Sequence, residues 1–235
     1  MAAGRPVELI PIIGIGDVTP GDDLVAILCD ALEGVLRPGD ILVVTHKVVS
    51  KAEGAVVEVD PDDPRSHAGV VEDEAARVVR RRGDLVIAIT RHGFVCANAG
   101  VDRSNVHDGT VVLLPRDPDR SAHRLRTGLE QRFEGPIAVV VTDTFGRPWR
   151  RGVADIAIGV SGIDPIVDHR GQPDMYGRIM EVTEVAIVDE LAAAADLVMG
   201  KADGIPAAVV RGLVWTPGTG RLADIVRPDN EDLFR

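Results

Sequence analysis

Apolar residues fall in short blocks separated by Gly, Pro and Asp, not in long periodic runs. Residues 7–13 read as a strand ended by Gly14-Ile15-Gly16-Asp17, and 41–45 as a β-branched, buried strand. Further strand-like blocks lie at 56–59, 85–90, 94–97, 111–114, 137–142, 155–160 and 207–210. Helical patterns cover 22–36, 70–82, 117–133 and 185–199. The first has acidic residues at its start, the third opens on Asp117-Pro118 as cap and first turn, and the last stops at Gly200. Between 46 and 54 a helix would put Lys47 and Lys51 on one face. Residues 60–66, 171–177 and the tail from Thr216 read as loops. Strands and helices mix without strict βαβ alternation, which favours α+β or irregular α/β over a doubly wound sheet. No repeat, low-complexity segment or linker marks an internal domain boundary.

Composition narrows the class. Of 235 residues, 45% are hydrophobic and 27% charged, ordinary for a folded chain, but only 3% are aromatic. The core must therefore be built from Val, Ile, Leu and Ala. A net charge of −11 argues against general nucleic-acid binding, which needs a basic footprint. No apolar run approaches a membrane span, and the interrupted N-terminal block does not read as a signal peptide, so a cytoplasmic location is expected. Cys29 and Cys96 offer neither a disulfide framework nor metal-ligand spacing, and both are expected as buried thiols.

Two stretches carry most of the chemistry: Asn98-Ala-Gly-Val-Asp102-Arg-Ser-Asn105 and Val141-Thr-Asp143-Thr144-Phe-Gly-Arg147-Pro-Trp-Arg150-Arg151. Each reads as an Asp in a polar turn beside an apolar strand, with arginines close by. Carboxylates beside cations suit a hard divalent ion and the phosphates it bridges. The competing reading is that both Asp side chains satisfy backbone N–H groups in turns. Lys47, Lys51, Arg147, Arg150 and Arg151 are candidate phosphate or carboxylate binders, against the plainer reading of solvated surface charges. No Walker-A pattern exists, Gly200-Lys201 lacking the preceding glycine spacing, and Gly14-Ile15-Gly16 lacks the third glycine of a dinucleotide fingerprint. The six histidines show no zinc spacing, and neither a nucleophile elbow nor a Cys beside a base is present.

The stretches Lys47-Val-Val-Ser-Lys51-Ala-Glu-Gly54, 97–106 and 142–150, in this order, resemble the coenzyme F-420 gamma-glutamyl ligase family, and the resemblance covers nearly the whole chain. It implies metal ligation by Asp102, Asp143 and Thr144. It implies nucleotide contacts at Ile15, Gly16, Asp17, Val18, His46, Lys51 and Asn105, His46 through its backbone. Lys47, Arg147, Arg150 and the late glycines Gly218 and Gly220 are phosphate or substrate candidates. The implied fold is one unit over 1–235 in two interleaved lobes of mixed sheet and helices, forming an intertwined homodimer. That unit is either free-standing or the N-terminal part of a fused ligase/reductase. The implied reaction attaches L-glutamate to a deazaflavin cofactor precursor through an acyl phosphate, using GTP, Mg²⁺ or Mn²⁺, with potassium as an optional monovalent cation. The alternatives are a metal-dependent small-molecule kinase or nucleotide hydrolase, and a non-catalytic deazaflavin-binding protein.

Overall fold

The computed structural model describes residues 6–63 and 65–233. In chain order the strands and helices are β1 (Glu8–Ile12), α1 (Leu24–Ala31), β2 (Ile41–Thr45), α2 (His46–Ala52), β3 (Val56–Glu58), α3 (Ala68–Glu74), β4 (Ala75–Arg82), β5 (Leu85–Thr90), β6 (Val95–Ala97), β7 (Thr110–Val112), α4 (Pro118–Arg132), β8 (Ala138–Gly146), β9 (Val153–Ser161), β10 (Val167–Asp168), β11 (Glu184–Val185), α5 (Ile187–Met199) and β12 (Ala207–Arg211). The mixed α+β character matches the sequence reading.

The main sheet has the order β1-β12-β2-β8-β9. Its β2–β8 contact is parallel and the others are antiparallel. Ile41, Leu42, Val43 and Val44 are fully buried, as are Val139, Val140 and Val141, so these central strands are covered on both faces. α4 packs on β8 and β9 with α1 behind it, while α5 crosses β9, β12 and β1. α4 approaches β9 so closely that a Cβ on Gly159 would lie 2.5 Å from the Pro118 carbonyl; only glycine fits there. Asp117 caps α4 by accepting from Arg120 N, with Pro118 in the first turn, as the sequence signals.

A second, smaller core forms from Val71, Val86, Ala88, Ala99, Val101 and Val111. It is built by the three-stranded sheet β4-β5-β6, the β3–β7 pair and α3, all inserted between β2 and β8. Here the expected helix over 70–82 is corrected. α3 ends at Glu74, and residues 75–82 form β4, paired antiparallel with β5 through a two-residue turn, Gly83-Asp84. Gly83 has φ +60, the left-handed backbone that such hairpin turns need. Cys29 is also only half-buried, whereas Cys96 is buried as expected. Among the described residues no helix is long and apolar enough to cross a membrane.

Candidate active site

β2 and β8 run parallel, and a cleft of about 370 Å³ opens where their C-terminal ends diverge. One wall is the loop after β1. Ile15 and Val18 are buried and anchor it, leaving Gly16 and Asp17 at the cleft surface. A second wall is α2, which follows β2 without a gap and presents Lys47 and Lys51 one turn apart. Asn105 comes from the exposed loop before β7, and Thr144 with Asp155 from β8 and β9. Among the candidates, Ile15, Gly16, Asp17, Val18, Lys47, Lys51, Asn105 and Thr144 are thus brought together.

The charges in the cleft are paired. Lys51 Nζ donates to Asp17 Oδ1 at 2.9 Å, and His107 Nε2 lies 3.1 Å from Asp17 Oδ2. The Lys51 hydrogen bond, chiefly, holds the Asp17 carboxyl below its usual range. Lys47 Nζ lies 2.7 Å from Asp102 Oδ2, and the Ser104 amide donates to Asp102 Oδ1 at 2.7 Å. Burial alone would raise the Asp102 carboxyl, but Lys47 and Ser104 together outweigh it and the net shift is downward. His46 is fully buried, with Nε2 3.2 Å from Asp143 Oδ1, though without the alignment of a hydrogen bond, and Nδ1 3.3 Å from Ser50 Oγ. Its side chain therefore faces Asp143 inside the protein. Asp143 and Asp102 thus face consecutive residues, His46 and Lys47 respectively, at the start of α2.

The backbone before Asp102 is unusual. Asn98, Ala99 and Gly100 all have positive φ, +50, +52 and +76. Asn98 Oδ1 accepts from Val86 N, and Ala99 is buried in the small core. These contacts hold a left-handed turn that non-glycine residues adopt only at a cost. The chain then leaves as a bridge between Asp102 and Val112.

Residues 12–212 match the family model for F420-0:gamma-glutamyl ligase. The chain belongs to that family. It is 42% identical to the coenzyme F420:L-glutamate ligase of Methanothermobacter thermautotrophicus, over 97% of this chain and 99% of the relative. Its identity to the ligase of the same name from Methanopyrus kandleri is 43%, over 93% of each chain. With that from Methanocaldococcus jannaschii it is 41%, over 85% and 86%.

The chain also departs from the sequence reading. Asp143 and Thr144 do not sit in a turn; they lie within β8, which pairs with β9 as far as Gly146, and the turn begins only after it. Arg147 and Arg150 are exposed in that turn, where Arg147 Nη2 donates to Arg151 O, and neither lines the cleft. Gly218 and Gly220 pack against Asp164 and Pro165, the Gly220 amide donating to Asp164 Oδ1, so this late loop is placed outside the cleft as well. The glycine-bearing segment that does line it is 199–206, after α5. There Lys201 Nζ lies 2.8 Å from Thr144 Oγ1 and 2.6 Å from both Asp155 Oδ1 and Asp196 Oδ1. Burial would lower the Lys201 pKa, but Asp155 and Asp196 outweigh it and the net shift is upward. Asp155, Asp196 and Lys201 are missing from the sequence reading. The signal is a lysine between Gly200 and Gly204 at a helix end, which fits no Walker-A spacing.

Proposed function

We propose that the chain is a GTP-dependent ligase joining L-glutamate to the deazaflavin precursor of coenzyme F420 by an amide bond. The observation that carries this reading is the convergence of loop 15–18, Lys47, Lys51, Asn105 and Thr144 on one cleft. The relatives supply the substrate class, being named for the coenzyme and glutamate.

A carboxylate is a poor electrophile, so amide formation in water needs an activated acyl group. In the first step a carboxylate oxygen of the precursor bonds to the γ-phosphorus of GTP. The bond from phosphorus to the β,γ-bridging oxygen breaks, giving GDP and an acyl phosphate. In the second step the glutamate amine attacks the acyl carbon, phosphate leaves with the bonding pair, and the amine loses its proton. Neither step needs a protein nucleophile; positioning and charge compensation carry the catalysis. Lys47 and Lys51 line the cleft as carboxylate-paired cations and exchange those partners for phosphate oxygens. Asn105 donates to the Lys201 carbonyl and fastens the 199–206 segment beside them.

A divalent ion fits the oxygen donors present. Among the described residues no three His, Cys, Asp or Glu side chains cluster for a metal, but Mg²⁺ uses only one or two carboxylates and completes its shell with phosphate and water. Asp102 and Asp143 are those carboxylates in this reading; the Thr144 hydroxyl, on the opposite face of β8, is engaged by Asp155 and Lys201 instead. The Lys201 ammonium, set among Thr144, Asp155 and Asp196, supports a corner that favours positive charge. A divalent ion held there would supply positive charge against the charge that builds on the transferring group. A homodimer belongs to the same reading, and the exposed Val78, Val79, Leu85 and Val95 of the β4–β6 sheet support it.

The deciding assay is phosphate release from GTP with the precursor and glutamate omitted in turn. Release that requires both, with a product heavier by one glutamyl unit, is expected. Release without either marks a hydrolase, and a stable phosphorylated precursor marks a kinase.

A further inference from the structure

A second groove lies on the other side of the Asp143–Thr144 segment. Successive strand residues point to opposite faces. Thr144 and its partner Asp155 line the nucleotide cleft, while Phe145 and Ile156, one residue further on each strand, line the groove. Asp143 shares the face of Phe145 and Ile156. Phe94, Phe145, Ile156, Leu222 and Val226 make most of this groove's lining apolar, and Asp189, Arg227 and Asp232 also line it. An adjoining polar cavity shares Phe94 and Leu222 with it, serves as its mouth past Ile158, and carries Arg116 and Arg120.

Aromatic residues are scarce in this chain, yet two of its four phenylalanines meet here. Phe94 and Phe145 pack edge to face with centroids 6.0 Å apart, and His92 stacks on Phe94 at 5.5 Å. Little of either ring is exposed, but what remains lines the groove as aromatic surface for a flat guest. The mouth carries carboxylates too, but they are taken. Asp117 accepts from Arg120 N and Asp119 from Val160 N and Leu222 N, while Glu53 accepts from Ser121 and Arg124. The guanidinium groups of Arg116 and Arg120 have no partner among the described residues and are the donors left over.

From this order of chemistries along β9, charged cleft at Asp155, apolar groove at Ile156 and Ala157, guanidinium mouth at Ile158, we infer that the groove binds the fused-ring end of the acyl substrate. The rings lie against Phe94 and Phe145, and the polar carbonyl edge faces Arg116 and Arg120. The carboxylate tail reaches toward Asp143 and Thr144, where it meets the nucleotide. The inference rests on the ligase reading, and it assigns that reaction two sites on opposite faces of one strand pair.

The test is a titration of the full chain with F420-0, followed by its own absorbance and fluorescence, alongside a titration with GTP. Arg116→Gln/Arg120→Gln and, separately, Phe145→Leu are each expected to weaken F420-0 binding tenfold or more while GTP affinity stays within twofold. The arginines are exposed, so the double variant keeps the test intact if the buried Phe145→Leu change impairs folding. Unchanged F420-0 affinity in the arginine variant overturns the groove assignment and leaves the ligase reading standing. Failure of the wild-type chain to bind F420-0 at all overturns both.

Discussion

Replacing Lys201 with Met tests the charge arrangement of the cleft most directly. The ammonium contacts three oxygens at 2.6–2.8 Å, and one of them belongs to Asp155, which is only 4% exposed. Removing one partner of a buried pair costs about 3–5 kcal/mol, because the other charge is left without compensation. Two features reduce that figure: the Lys201 side chain is 51% exposed, so water screens the pair, and Thr144 Oγ1 still donates to Asp155 Oδ1 at 2.6 Å. A loss of about 2 kcal/mol remains, which for a chain of this size lowers Tm by about 4–8 °C. Differential scanning calorimetry measures it, and a double-mutant cycle with Asp155→Asn isolates the pair: the double variant should lose clearly less than the sum of the singles. Additive losses, or a Tm within about 1 °C of wild type, would refute the argument that Lys201 compensates Asp155. The pH dependence gives an independent check. The Lys201 pKa is raised on folding, so its contribution is complete below the unfolded value near 10.5 and fades as pH climbs through the higher folded value.

Gly100→Ala should cost about 2 kcal/mol or more, since φ there is +76 and the new Cβ would lie 2.6 Å from Leu114 Cγ; chemical denaturation measures the loss. The lowered Asp102 pKa gives stability that is full above the unfolded value near 3.9 and lost as pH falls through the folded value; Lys47→Met should flatten that acid leg in Tm-versus-pH curves. Asp143→Asn should lower kcat by at least tenfold and weaken Mn²⁺ binding followed by electron paramagnetic resonance, with circular dichroism unchanged. Asp119→Ala strips the acceptor from Val160 N and Leu222 N, and faster amide exchange at Leu222 should report the released C-terminal segment.

Much of the main sheet was legible in sequence because its strands are fully buried. Ile41–Val44 and 207–210 are unbroken apolar runs, and α4 announces itself through Asp117-Pro118. The Lys47/Lys51 face of α2 was readable from spacing alone. The small lobe was harder. Residues 75–82 are Arg-rich, and Arg is a good helix former, whereas β4 exposes nearly every position and so shows no alternation. Its real marker was Gly83-Asp84, a hairpin turn signal that outranks the propensity of the residues before it. Thr142-Asp-Thr is polar and reads as a turn; the pairing of Thr144 with β9 is a tertiary fact that no local pattern carries. Lys201 and Asp196 become neighbours of Thr144 only through the crossing of α5 over the sheet.

Because the small core is inserted between two strands that lie side by side, Asp102 and Asp143 hang from separate bodies: one follows Val101 and Val111, the other the β8–β9 ladder. Their spacing is a gauge of how firmly the insertion is seated. Gentle heating or mild denaturant should therefore silence turnover while the large sheet is still intact, inactivation running ahead of melting.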